Sequence, residues 1–181
     1  EFGERVSALA ERYRVAVLVG SAVIIAAAAI ALSQGRDVSV SLVLFSGETA
    51  MGALLAETSA LTVLLIVLAK SLAYALSIGG GFRGGPIFPI TFIGLGIAVL
   101  STLLFTDLPI GPMAAASIAA AATVMLRLPF TSALLAVLIL GSAGMAIAPF
   151  AIIGAVVGFG MRQALDTFDA RRAAAAEPAT A

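Results

Sequence analysis

Long apolar segments, separated by short polar or glycine-rich breaks, occupy most of the chain. A helix needs about 20 consecutive apolar residues to cross a bilayer. Runs near that length cover residues 15–32, 60–78, 86–105 and 143–161. Shorter apolar or partly polar segments cover residues 38–45, 46–59, 113–126 and the stretch "RLPFTSALLAVLILG". The pattern predicts about seven or eight helices of unequal length.

Several of these segments are too short for a hydrocarbon core that is about 30 Å thick. Helices that stop inside the membrane are typical of channels and transporters, where irregular backbone faces a cavity. In residues 46–59, we expect Ser46 or Gly47 to cap a short interfacial helix that carries Glu48 near its positive end. Pro129 is placed for the first turn of another short helix.

The composition places the chain in a membrane. Hydrophobic residues make up 61% and charged residues 11% of its 181 positions, against roughly 45–50% and 25% in soluble domains. The predicted fold class is an all-α, polytopic membrane protein with broken or re-entrant helices, and the lipid bilayer is one partner. The net charge is zero, so we expect no nucleic-acid partner.

Histidine and cysteine are both absent from the sequence. Their absence removes histidine-based acid–base catalysis, thiolate sites and most zinc sites. No paired-carboxylate motif replaces them. We therefore predict no catalytic residue, no metal site, no cofactor and no enzymatic activity.

The stretch "GGGFRGGPIFP" interrupts the apolar pattern and has three interpretations. It contains G-x-G-x-x-G, but a dinucleotide site needs a strand before the motif and a βαβ unit around it, and here an apolar span precedes it. It could be an ordinary loop outside the membrane, since glycine and proline mark loops. The third interpretation is an anion site at the start of the next helix.

The anion interpretation follows from the backbone. Gly84 and Gly85 permit unusual backbone angles, and Pro86 suits a first helical turn. The helix that begins there directs its free N–H groups and the positive end of its dipole into the break. At a buried helix N-terminus, such amides bind an anion without a full positive charge, and Arg83 would add positive potential.

The chain resembles the CLC family of chloride channels and proton-coupled chloride exchangers. "LAKSLAYALSIGGGFRGGPIFPITFIGLG" is similar to a family span, loop and helix that carry a G-G-x-F-x-P motif. "AAAATVMLRLPFTSALLAVLI" resembles the R-x-P-L-T helix pair, and "MAIAPFAIIGAVVGFG" is similar to a late helix opened by a proline. Together these motifs resemble the second of the two inverted repeats of the family.

The resemblance implies an anion site in the G-x-F-x-P segment. The residues that align with that site are Gly84, Gly85, Pro86, Ile87, Phe88 and Pro89. Ile87 stands where the family has phenylalanine, and Pro86 cannot donate a hydrogen bond, so Ile87 and Phe88 remain as donors. Lys70, which lies within a span, is a pathway or electrostatic candidate with Arg83; snorkelling, a buried pair or a structural role is the alternative.

The resemblance also sets the expected organisation. Residues 1–14 would be a polar flank, residues 15–162 a membrane domain, and residues 163–181 a polar, alanine-rich tail that frays. The serine segment G-S-G-x-P and the gating glutamate of G-x-E-G-P have no counterpart here, so a missing first-repeat half from the same gene or a partner chain is expected. A homodimer is the expected assembly.

The predicted function is transport of chloride or a similar small anion, by a channel or a proton-coupled exchanger. The alternatives are a secondary transporter of another small anion and a non-transporting membrane assembly half. Arginines flank both ends of the apolar region, and the positive-inside rule places the C-terminus in the cytoplasm. A bacterial inner (plasma) membrane is the expected location.

Overall fold

The computed structural model of the chain is helical throughout its regular regions and describes residues 14–36, 38–82, 84–105 and 107–176. Within these ranges the helices are α1 (Arg14–Arg36), α2 (Met51–Leu55), α3 (Ala60–Gly79), α4 (Ile87–Leu104), α5 (Ile110–Leu126), α6 (Pro129–Ile139) and α7 (Ala148–Ala176). Two 3-10 helices cover Val40–Leu42 and Gly141–Ile147. The predicted all-α fold class is confirmed, and no strand occurs in the described ranges.

Four of the described helical segments are long and apolar enough to cross a membrane: Ala16–Arg36, Ala60–Gly79, Ile87–Leu104 and Met145–Arg172. By contrast, α5 has 17 residues and α6 has 11 residues. At a rise of about 1.5 Å per residue, a helix as short as α6 covers about half of a hydrocarbon core. The uneven lengths predicted from hydropathy are therefore present in the structure.

The chain divides between Ile110 and Gly111 into two compact units. In the first unit, α3 packs against both α1 and α4, and α2 packs against α4. The core of this unit is apolar, with Leu54, Val63 and Phe92 fully buried. Burial of this kind follows from the placement of apolar residues on the helix faces that meet.

Close packing of α3 and α4 depends on a glycine. A Cβ atom added at Gly96 would overlap the Cγ2 atom of Val67 on α3. A glycine at this position lets the two helix backbones approach, as small residues do in membrane helix pairs. Gly47 serves a similar purpose before α2: its φ is +89°, and an added Cβ would lie 2.8 Å from the Phe92 ring.

In the second unit, α6 packs against α7, and two glycines of α7 face the backbone of α5. An added Cβ at Gly154 would overlap the carbonyl of Ala116. One turn later, an added Cβ at Gly158 would lie 2.6 Å from the carbonyl oxygen of Ala120. These glycines, spaced four residues apart, form a groove that accepts the alanine-rich face of α5.

Capping residues set several helix boundaries. Ser59 begins α3, because its side chain accepts a hydrogen bond from the N–H of Thr62 at 3.3 Å. Pro129 occupies the first turn of α6, which confirms its predicted position. The predicted cap of α2 is wrong: Ser46 and Gly47 precede a turn, and the helix begins at Met51 after Ala50.

The last helix also extends further than the sequence suggested. The sequence predicts a frayed tail over residues 163–181; α7 continues through Ala176, and residues 177–181 lie outside the described ranges. The segment contains alanine, glutamine and arginine, which favour helix, and no glycine or proline interrupts it before Pro178. The division of the chain into flank, membrane domain and tail stays a prediction.

Candidate functional site

The glycine-rich break begins with a well-defined end to α3. Gly81 has a φ of +82°, a conformation that glycine adopts at little cost. Its N–H donates to the carbonyl of Ile78 at 3.0 Å, and the N–H of Phe82 donates to the carbonyl of Ser77 at 3.0 Å. This pair of bonds is a Schellman motif, which satisfies the last carbonyls of a helix. The first part of "GGGFRGGP" is therefore a helix stop.

The second part of the break leads into α4, whose first turn holds two prolines. Pro86 is the N-cap residue and makes no side-chain capping bond. The first bond of the helix runs from the N–H of Ile90 to the carbonyl of Pro86 at 3.2 Å. Pro86 and Pro89 have no N–H, so the free donors of this helix end are the N–H groups of Ile87 and Phe88.

These two N–H groups have no acceptor among the residues that the structure describes. Unpaired N–H groups at a helix start carry the positive end of the helix dipole and form a local site for an anion. The sequence predicts a buried helix N-terminus here, but Ile87 is 41% exposed and Phe88 is 39% exposed in this chain. That these residues bind an anion stays a prediction.

The glycines before α4 leave open space. A Cβ atom added at Gly84 or Gly85 would meet nothing within 4 Å. Both residues are exposed, and Pro86 and Pro89 are half-buried. The predicted site residues from Gly84 to Pro89 therefore form one continuous, accessible segment. Arg83, the remaining candidate in the break, lies outside the described residues.

Lys70 is buried in α3, with 2% of its surface exposed. Its Nζ atom donates to the carbonyl oxygens of Val43 at 3.2 Å, Leu44 at 3.0 Å and Phe45 at 3.0 Å. It also lies 5.0 Å from the centre of the Phe92 ring, within range of a cation–π interaction. Lys70 therefore connects α3 to the chain segment that precedes α2.

The segment that receives Lys70 has an unusual backbone. Phe45 has a φ of +60°, which is rare for a residue with a side chain. Its ring is 81% exposed. The turn at Phe45 directs three consecutive carbonyls to a single ammonium group, which explains why a short apolar segment of residues 38–45 does not continue as a helix.

A cavity of about 290 Å³ lies beside Lys70 and extends to the glycine break. Its walls include Lys70, Tyr74 and the glycines that precede α4. The lining residues are Ile25, Val43, Leu44, Phe45, Ser46, Lys70, Ala73, Tyr74, Ser77, Ile78, Phe82, Gly84, Gly85 and Pro89. The cavity thus borders both Lys70 and part of the predicted anion segment.

Tyr74 and the carbonyls of Val43, Leu44 and Phe45 were not predicted as site residues. The helical spacing contained a signal for Tyr74, because it lies four residues after Lys70 on the same helix face. The carbonyl cluster had only an indirect signal: a lysine within a membrane span needs polar partners. No cluster of acidic residues that could hold a metal ion occurs in the described part of the chain.

The described residues include four helical segments that are long and apolar enough to cross a membrane, and an open break with unpaired N–H groups lies between two of them. These features are typical of a polytopic membrane protein of the channel and transporter class. The chain belongs to the voltage gated chloride channel family, whose model matches residues 3–163. Membership implies chloride channel or exchanger activity rather than enzymatic activity, and proteins of the family form dimers in general. The comparisons with curated proteins and with solved structures found no match.

Proposed function

We propose that this protein conducts or exchanges chloride across a membrane, and that the N–H groups of Ile87 and Phe88 form part of the anion pathway. One observation carries this proposal: the start of α4 has unpaired N–H groups beside the open space at Gly84 and Gly85. Backbone dipoles attract an anion without holding it as strongly as a full charge would, so the anion is released again.

The pathway also needs a second wall, because the start of α4 is exposed in this chain. We propose that a first-repeat half, from the same gene or from a partner chain, supplies that wall and the gating carboxylate. The finished protein is a homodimer in a bacterial inner membrane. Its C-terminus lies in the cytoplasm, because Arg162, Arg171 and Arg172 follow the last apolar segment.

The test is chloride flux from vesicles that contain the product of the complete source gene. Gly85→Leu adds a side chain where the structure has free space, so the chain folds while the break is obstructed. Gly52→Leu is the matched control, since an added Cβ at Gly52 also meets nothing within 4 Å. We expect Gly85→Leu to reduce flux strongly, because a side chain there obstructs the break, and Gly52→Leu to leave it unchanged.

Each outcome discriminates among the functions. A wild-type protein that moves another small anion but not chloride identifies a different anion transporter, and one that moves no anion identifies a non-transporting assembly component. Unchanged flux in Gly85→Leu removes the break from the pathway. Proton movement coupled to chloride, followed by a pH electrode, distinguishes an exchanger from a channel.

A further inference from the structure

Two arginines share one carboxylate where the end of α5 meets α7. The Oδ1 atom of Asp166 lies 3.2 Å from Nη2 of Arg127 and 2.7 Å from Nη2 of Arg162. Within the described ranges, neither arginine has another ion-pair partner. One carboxylate neutralises one guanidinium group, so this cluster keeps one uncompensated positive charge.

Arg127 keeps hydrogen-bond donors that face outward. A guanidinium group carries five N–H bonds, and among the described residues only Asp166 accepts one from Arg127. The Arg127 side chain is 61% exposed. Its backbone has a φ of +61°, which is rare for a residue with a side chain, and α6 begins two residues later. The tight turn between α5 and α6 therefore presents a planar fork of donors, which matches the oxygens of a phosphate group.

The register of α5 against α7 places the arginine cluster at the edge of the apolar region. The two helices run in the same direction, because successive glycines of α7 face successive alanines of α5. The apolar run of α5 ends at Leu126 and that of α7 ends at Met161, and an arginine follows each. The shared carboxylate shows that these two ends lie close together. Arginines that end two adjacent membrane helices lie where hydrocarbon gives way to lipid headgroups.

Exposed apolar side chains flank the cluster along the chain. Leu128 and Phe130 follow Arg127, and Met161 precedes Arg162; all three are exposed, and Phe130 is 77% exposed. A soluble anion would contact the arginines but would leave these apolar side chains uncovered. A phospholipid satisfies both, because its phosphate accepts hydrogen bonds and its acyl chains cover apolar surface.

We propose that Arg127 and Arg162 bind the phosphate of a glycerophospholipid that carries one net negative charge. Arg127 donates directly to the phosphate oxygens through the N–H groups that Asp166 leaves free. Arg162, whose side chain is 28% exposed, contributes charge and holds Asp166. The acyl chains lie against the exposed apolar side chains beside the cluster. This lipid site is separate from the proposed chloride pathway and does not depend on it.

The test is native mass spectrometry of the complete gene product in detergent, titrated with phosphatidylglycerol or with phosphatidylcholine of the same acyl chains. Arg127→Gln removes the cation and keeps an unbranched polar side chain. Arg171→Gln is the matched control, because it changes the net charge equally and Arg171 is an exposed residue of α7, about 14 Å beyond Arg162 along the helix axis.

We expect the wild type to bind phosphatidylglycerol more tightly than phosphatidylcholine. We expect Arg127→Gln to bind phosphatidylglycerol about fivefold more weakly, the factor that corresponds to about 1 kcal/mol for one arginine at an anionic membrane surface. Arg171→Gln should bind it like the wild type. Equal binding of the two lipids, or an equal loss in both variants, would mean annular lipid only and would overturn the inference.

The source of the phosphate is tested by competition. Glycerophosphoglycerol is the headgroup of phosphatidylglycerol without acyl chains. We expect it not to displace the lipid at equal concentration, because it cannot cover the apolar side chains. Displacement at equal concentration would identify a site for a soluble phosphodiester and would overturn the assignment to a lipid.

Photo-cross-linking of the wild type needs no variant. The probes are phosphatidylglycerol and phosphatidylcholine that carry the same diazirine near the start of one acyl chain. We expect the phosphatidylglycerol probe to label peptides with residues 125–130 and 159–165 in excess over the phosphatidylcholine probe. Uniform labelling of the apolar helices by both probes would overturn the lipid site and leave the proposed chloride transport untouched.

Discussion

Replacing Lys70 by methionine tests whether its ammonium group holds the segment before α2 in place. Methionine retains most of the apolar length of lysine but donates no hydrogen bond. The substitution leaves the three carbonyl oxygens of Val43, Leu44 and Phe45 without their donor. We expect Lys70→Met to destabilise the protein, although it also removes a buried charge.

The magnitude follows from the burial of each acceptor. The Val43 carbonyl belongs to a residue that is 2% exposed, and an unpaired buried carbonyl costs about 1–3 kcal/mol. The bonds to Leu44 and Phe45 are only partly buried, so water replaces part of each, at a loss of about 0.5–1 kcal/mol. Summed over the three carbonyls, we expect the free energy of unfolding to fall by about 2–5 kcal/mol, less the recovered cost of burying the charge.

The expected destabilisation depends on removing only one member of the polar contact. Replacing both members of a buried polar pair with apolar groups is often harmless, because no unpaired group remains. In Lys70→Met the acceptors belong to the backbone and cannot be replaced. The recovered cost of burying the charge reduces the destabilisation but does not abolish it.

The assay is reversible unfolding in mixed detergent micelles, with increasing dodecyl sulfate and far-UV circular dichroism as the readout. Leu68→Met is the matched control, because Leu68 lies on the same helix and is 57% exposed. We expect the control to stay within about 0.5 kcal/mol of the wild type. A Lys70→Met protein that is as stable as the wild type would show that the hydrogen bonds from Lys70 to the three carbonyls do not stabilise the fold.

Two further substitutions test packing and surface charge. Gly154→Val places a side chain against the backbone of Ala116, so we expect the free energy of unfolding in detergent to fall by about 1–3 kcal/mol. Gly160→Val is the control and should cost clearly less, because an added Cβ at Gly160 meets nothing within 4 Å. Asp166→Asn removes two ion pairs of a carboxylate whose side chain is 43% exposed, one to Arg127 at 3.2 Å and one to Arg162 at 2.7 Å. We expect a change of about 1 kcal/mol or less that shrinks in high salt, and a larger, salt-independent loss would contradict the view that both pairs are screened by solvent.

Local patterns in the sequence predicted much of the helical framework. Hydropathy and run length located the spans that became α1, α3 and α4, and Pro129 marked the start of α6. These features are local: an apolar run in lipid satisfies its backbone within one helix, and a proline fits a first turn whatever surrounds it. The start of α2 was misplaced, because the turn at Phe45 and Ala50 depends on contacts with distant residues.

Only part of the candidate site was predictable from local sequence. The sequence predicted the free N–H groups of Ile87 and Phe88, since a helix start with two prolines leaves those donors unpaired whatever its neighbours are. It did not predict the open space around them or the exposure of that helix start. Both depend on which helices pack nearby, and no local pattern specifies that.

The sequence by itself determined that this is a helical membrane protein with a broken apolar segment. An apolar chain in lipid has to satisfy its backbone hydrogen bonds internally, and a helix does so within one segment. The sequence also placed a cation in the middle of a span. Only the tertiary structure decided what that cation binds: the carbonyls that accept from Lys70 lie 25 to 27 residues earlier in the chain. The physical reason is that a buried charge is stabilised by dipoles brought together through packing, and such an arrangement is a property of the fold.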